Sequence, residues 1–134
     1  MRPSPTPKPH PVDLSTPASA QAALRTFFNI TQAWSLDTRE QMAVLGINSR
    51  TTLAAWKRGD AGALGRDTLE RLSYVFGIHA ALQVLLPDAR AADAWLRKPN
   101  AAPLFGGKSA LDRLRAGHVA DLFLVRQYLD SQRG

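Results

Sequence analysis

One short stretch of this chain carries side chains suited to nucleic acid, and one triplet imitates a nucleotide site. Arg50, Thr51, Lys57 and Arg58 lie within nine residues of each other. Arg50 can read a guanine edge or hold a phosphate, and Thr51 can do either. Lys57 and Arg58 can neutralise backbone phosphates. Between them, Ala54 and Ala55 offer only methyl contacts, a poor vocabulary for base readout. Gly107-Lys108-Ser109 resembles the end of a phosphate-binding loop. The full motif needs a glycine where this chain has Ala102, and a strand before it that the sequence does not show. Other catalytic chemistry does not assemble either. No G-x-S-x-G turn presents a serine, and cysteine is absent, so there is no thiolate nucleophile, disulfide or cysteine zinc site. His10, His79 and His118 are far apart and fall in different elements, so no metal site is expected. A non-enzyme without a cofactor is the expectation.

The second notable stretch is Arg97 to Gly117. Pro99-Asn100 opens a ten-residue loop that contains Phe105-Gly106-Gly107 and closes on Ser109. A loop of this length between helices is uncommon unless it serves a purpose. Phe105 and Leu104 either plug it onto the core or meet a partner. Ser109 with Asp112 three residues on reads as a capping box, and Gly117 as the end of the short helix that follows.

The elements that position these residues read as helices throughout. Residues 1–17 alternate proline with small, polar or basic residues and are expected to form a disordered arm. Thr16-Pro17 starts a first helix with Leu24, Phe27, Phe28, Thr31 and Trp34 on one face. Asp37 and Glu40 cap a second, which ends at Gly46. A third begins near Asn48, turns Leu53 and Trp56 inward, and ends at Gly59. Two short helices around a glycine-bearing turn form a helix-turn-helix pattern. With Leu53 and Trp56 inside, Thr51, Ala54, Ala55 and Arg58 face outward, flanked by Arg50 and Lys57. Asp67 is expected to cap a long helix, apolar on most sides from Leu69 to Leu86. Pro87-Asp88 stops it and caps the next, which ends at Pro99. The last helix, His118 to Ser131, carries Val119, Leu122, Phe123, Val125 and Leu129 on its apolar face. Trp95, Leu111, Leu114 and Leu122 read as core, Asn100 as a cap of its own loop.

The whole is an all-α chain of 134 residues with three expected parts, the arm 1–17, a helix-turn-helix unit 18–65 and a C-terminal helical unit 66–134. Its net charge of +6 divides as +2 over 1–33, +1 over 34–65 and +3 over 66–134, so the presumed DNA-reading region is nearly neutral. No run approaches the ~18 apolar residues of a membrane span, and no secretory signal is visible. A cytoplasmic location without a membrane partner is expected.

Several of these residues carry a family resemblance. Ala94-Trp95-Leu96-Arg97-Lys98-Pro99-Asn100, then Pro103-Leu104-Phe105-Gly106-Gly107-Lys108-Ser109-Ala110-Leu111, then the ending GHVADLFLVRQYLDSQRG from Gly117 to Gly134, resemble the toxin-binding domain of Xre/MbcA/ParS antitoxins. The ParS-like members are the nearest in kind. The resemblance runs from about Phe27 to Gly134 and includes an Xre-like helix-turn-helix. It implies an all-helical antitoxin of a type II toxin-antitoxin system, whose partner is a RES-domain toxin that degrades NAD or uses it for ADP-ribosylation. The C-terminal domain would cover the toxin's NAD pocket, and the helix-turn-helix would repress the operon by binding operator DNA. A homodimer within a toxin-antitoxin hetero-oligomer is expected.

On this resemblance Pro99, Asn100, Phe105, Gly106, Gly107 and Ser109 belong to the toxin-binding signature. The end from Arg126 to Gly134, with Tyr128 and Arg133, lies nearest the toxin's active site, and removing Tyr128 to Gly134 is expected to weaken neutralisation more than folding. Two departures stand out: position 110 is alanine where many relatives have proline, and the turn Gly46-Ile47-Asn48 is one residue longer than the commonest spacing. The alternative reading is a stand-alone dimeric repressor whose C-terminal half only dimerises.

Overall fold

The computed structural model describes residues 16–134, so the expected arm falls outside the described residues apart from Thr16 and Pro17. Those two start α1 (Pro17–Ala33). The Thr16 hydroxyl accepts the Ser19 N–H, and proline stands where its missing N–H would have had no partner. The inward face of α1 buries Leu24, Phe27, Ile30 and Thr31, and Trp34 just beyond it is 1% exposed. α2 (Thr38–Leu45) has the anticipated reciprocal cap. The Glu40 N–H donates to Asp37 at 2.8 Å and the Asp37 N–H donates to Glu40 at 3.0 Å. Thr31 ties the two helices together, because its hydroxyl accepts from the Gln41 amide at 3.1 Å while donating to the Phe27 carbonyl.

Gly46 ends α2 at a φ of 71°. The third helix, α3 (Arg50–Lys57), is capped by Ser49, one residue later than expected. Leu53 is buried and Trp56 half-buried. Together α1, α2 and α3 form the three-helix unit that the sequence pattern describes.

The long helix α4 (Arg66–Leu85) departs from expectation at its start. Gly65 holds the cap position and makes no side-chain cap bond. Asp67 lies inside the first turn, where a carboxylate complements the helix dipole, and it accepts from Arg71 Nε at 2.8 Å. Arg71 is 8% exposed, and its Nη1 reaches three carbonyls, those of Ala43, Val44 and Gly117. It thereby satisfies the open C-terminal end of α2 from another helix. Gly46 is required twice over: for its backbone angle, and because a Cβ there would lie 2.5 Å from the Arg71 guanidinium carbon.

Asp88 caps α5 (Ala89–Ala94) as anticipated, and a single 3-10 turn (Trp95–Arg97) leads into the loop. After the loop come α6 (Ala110–Leu114) and α7 (Val119–Gln132). α7 lies along α4 and runs parallel to it, since Arg71 reaches Gly117, Tyr74 meets Phe123, and Arg126 lies over Gly77. Leu72, Val75, Ile78, Ala81 and Leu82 of α4 are sealed in the same apolar cluster as Leu122, Val125 and Leu129 of α7. That cluster is continuous with the core of the first three helices, so α4 serves both halves. Phe123 departs from the expected apolar face of the last helix: it is 44% exposed, on a flank of α7 turned away from the buried Leu122, Val125 and Leu129.

Candidate partner-binding surfaces

The stretch Pro99 to Ser109 folds back on itself. The Asn100 N–H donates to the Lys108 carbonyl at 3.0 Å, and the Gly107 N–H to the Asn100 carbonyl at 2.9 Å. Pro99 and Ser109 form an isolated antiparallel bridge. Inside this closure the Asn100 side chain accepts the Ala102 N–H at 2.9 Å, so it caps its own loop as one reading anticipated. Gly106 and Gly107 have φ of 59° and 87° with open space around them, so backbone conformation is what selects glycine there. Ser109 and Asp112 form the anticipated capping box, and the Ser109 N–H and hydroxyl hold the Asp112 carboxyl below the usual carboxylate range.

Phe105 anchors the loop from within. Its ring is 5% exposed and packs edge-on against Tyr128, with centroids 5.1 Å apart, and against Trp95 at 5.9 Å. Trp95 and Tyr128 stack at 6.3 Å and complete the trio. Thus Phe105 plugs the loop onto the core, and the surface it supports is made by Pro99, Gly106, Gly107 and Lys108, all exposed. Arg113 braces the other side of the loop by donating to the Leu104 carbonyl at 2.9 Å and pairing with Asp121.

The residues expected at the carboxyl end are not brought to one place. Tyr128 belongs to the aromatic trio under the loop. Arg126, about 200° away around the same helix, lies against α4 and pairs loosely with Asp130 at 3.6 Å. Arg133 and Gly134 are exposed at the end of the chain. Leu129 is 1% exposed, so removing Tyr128 to Gly134 would open the core and cost stability as well as contact. Only Asp130 to Gly134 is exposed throughout.

On α3, Arg50, Thr51, Ala54, Lys57 and Arg58 are all exposed, while Ala55 is half-buried. The Lys57 ammonium leans back over the Phe28 ring, 5.6 Å from its centre, so it stands at the edge of this face.

Between the two surfaces lies a link that the sequence reading missed. Glu40, read only as a capping partner, is 7% exposed and also meets Arg115 Nε at 2.7 Å and Arg97 at 3.7 Å. Arg97 further donates to the carbonyls of Trp34 and Ser35, where Ser35 sits at a φ of 59°. Arg115 also pairs with Asp112 at 2.9 Å. The Glu40 carboxylate holds the Arg115 proton more tightly than usual. One carboxylate of the helix-turn-helix unit therefore grips both ends of the loop region. The separation of these residues in sequence, Glu40 from Arg115 above all, hides the link from local patterns. His79 lies beside the Trp34 ring, and no group of metal-ligating side chains is present among the described residues. No described helix is long and apolar enough to cross a membrane.

Comparison with known proteins divides the chain into two matched segments. Residues 13–77 match the antitoxin Xre-like helix-turn-helix domain, and residues 80–134 match the antitoxin Xre/MbcA/ParS C-terminal toxin-binding domain, so the two matches meet inside α4. A relative from Sinorhizobium fredii, called uncharacterized protein y4oB, is 43% identical over 128 residues, covering 92% of this chain and 97% of that protein. No solved structure matches the chain.

Proposed function

Since the chain belongs to the Xre/MbcA/ParS family of antitoxins, with a helix-turn-helix domain and a toxin-binding domain, we propose that its toxin is a RES-domain protein that consumes NAD. The antitoxin neutralises that enzyme by laying the Pro99–Ser109 loop and the carboxyl end of α7 across the mouth of the NAD pocket. Pro99, Gly106, Gly107 and the exposed end at Arg133 and Gly134 make the contacts. Asn100, Phe105, Ser109 and Tyr128 hold the contacting backbone in shape. The same chain represses its own operon through Arg50, Thr51 and Arg58, with Lys57 at the rim.

The observation that carries this reading is the closed loop over the Trp95, Phe105 and Tyr128 rings. A loop ordered before binding loses little conformational freedom when it docks, so more of its contact energy appears as affinity. The exposed end offers the Arg133 guanidinium, only loosely paired with Asp130 at 3.9 Å, to a pocket shaped for pyrophosphate or lined by acidic residues.

Co-expression tests the proposal. A RES-domain toxin from the neighbouring reading frame should arrest growth alone and be silenced by the intact chain. A chain lacking Asp130 to Gly134 should fold normally and neutralise poorly. Full neutralisation by that shortened chain would remove the carboxyl end from the mechanism. A neighbouring toxin without NAD-consuming activity would reject the RES assignment.

A further inference from the structure

Beside the loop, where two arginines converge on Glu40, lies a cleft of about 360 Å³. Arg97, Lys108 and Arg115 line it, and Pro99, Gly107 and Asp112 form part of its wall. The two guanidiniums are already held. Arg97 donates to the Trp34 and Ser35 carbonyls and lies 3.7 Å from the Glu40 carboxylate. Arg115 donates from Nε to Glu40 at 2.7 Å and from Nη1 to Asp112 at 2.9 Å. Each keeps a terminal nitrogen, Nη1 of Arg97 and Nη2 of Arg115, with no acceptor among the described residues. Lys108 is exposed, and its ammonium has no ion-pair partner among the described residues. Its backbone is fixed, because its carbonyl accepts from the Asn100 N–H and its own N–H donates to the Phe105 carbonyl. Three cations therefore meet two carboxylates, and one of the two, Glu40, is buried.

We propose that this cleft receives one acidic side chain, an aspartate or a glutamate, from the rim of the toxin's pocket; the identity of the occupant rests on the RES-toxin reading given above. Two guanidinium edges and an ammonium offer a carboxylate charge-assisted hydrogen bonds from three sides. Because both arginines are anchored before anything docks, little rotamer freedom is lost when the carboxylate enters. A free nucleotide is served less well. No aromatic ring lines the cleft to stack a base, so the anion has to arrive on a scaffold of its own. That scaffold is a protein and not DNA. All three cations fall within residues 80–134, the segment that matches the toxin-binding domain, and the wall of the cleft is the exposed Pro99 and Gly107 backbone proposed to dock on the toxin. Pro99, Gly106 and Gly107 carry no charge, so by themselves they cannot select a partner by its sign. The cleft adds that selection at the edge of the same contact.

The test is capture of the toxin encoded by the neighbouring reading frame, measured by calorimetry with the full-length chain at low and at high salt. Lys108→Glu should keep the wild-type melting temperature, since its side chain is exposed and unpaired among the described residues, and should weaken capture about tenfold or more. Arg115→Gln should weaken it as well, and in both variants the affinity should vary less with salt than in the wild type. A single acid-to-lysine change on the toxin should restore capture by the Lys108→Glu chain and so identify the docked carboxylate. Unchanged affinity and salt dependence in both variants would overturn the cleft and leave the RES reading standing. A loss that no acid-to-lysine change on the toxin restores would also overturn it. A toxin that the wild-type chain does not bind would end the RES reading, and with it the occupant named here. Variants that capture the toxin normally but bind a promoter fragment more weakly would give the cleft to a DNA phosphate instead.

Discussion

At the scale of single residues, Glu40 and Arg71 join what the chain order keeps apart. Glu40 closes the α2 cap and receives Arg97 and Arg115, and Arg71 collects carbonyls from α2 and from the α6–α7 turn. Glu40→Ala removes a cap partner and leaves two arginines with a weaker hold, so urea denaturation should show a loss of about 1–2 kcal/mol. Glu40→Gln keeps an oxygen for the Asp37 N–H and should lose less than about 1 kcal/mol, because both arginines are more than a third exposed and can turn to water. Equal losses for the two variants would mean that the ion pairs, and not the cap, carry the effect. Asp112 gives a pH signature. Its carboxyl titrates lower in the folded chain than in the unfolded one, so it contributes stability above its unfolded value that is lost as pH falls through its folded one. The stability gap between wild type and Asp112→Asn should therefore persist at neutral pH and close below about pH 4. A gap independent of pH down to about pH 2 would contradict this.

At the scale of elements, the loop and α7 stand or fall together through three rings. Phe105→Ala should destabilise the chain by about 3–5 kcal/mol, the usual range for a buried phenylalanine, and loosen the loop it anchors. Hydrogen exchange at the Gly107 and Lys108 amides would report that loosening directly, and protected amides in the variant would show that the backbone bridge holds the loop unaided. The two shortened chains separate along the same line. Ending at Leu129 should leave the melting temperature nearly unchanged. Ending at Gln127 should lower stability by about 2–5 kcal/mol, because the buried Leu129 goes with the tail.

At the scale of the whole molecule, α4 makes one body of the two halves, with α3, the helix proposed to face DNA, on one part and the loop on another. DNA binding through α3 should be electrostatic in part. Removing the Arg58 charge with Arg58→Ala should weaken binding to a promoter fragment and flatten the log–log salt dependence by about 1. An unchanged slope would place Arg58 away from phosphate. Because Glu40 ties the three-helix unit to Arg97 and Arg115 on either side of the loop, Glu40→Ala also tests whether the two halves act as one: its effect on toxin capture should exceed that of Arg58→Ala, which does not touch this link.

The sequence by itself determined the helices and most of their ends. Thr16-Pro17, the Asp37–Glu40 and Ser109–Asp112 boxes, Asp88 and the glycines at 46 and 117 are local signals, each satisfied by partners within a few residues. The helix-turn-helix pattern and the loop signature were legible for the same reason. Only the tertiary structure decided which of the named residues share a surface: it buried Phe105, laid Arg126 against α4, left Phe123 in the open, moved the cap from Asp67 to Gly65, and joined Glu40 to Arg115. Periodicity fixes which side of a helix is apolar, but the neighbour that covers it comes from a distant part of the chain, and ion pairs across such distances leave no mark in the local sequence.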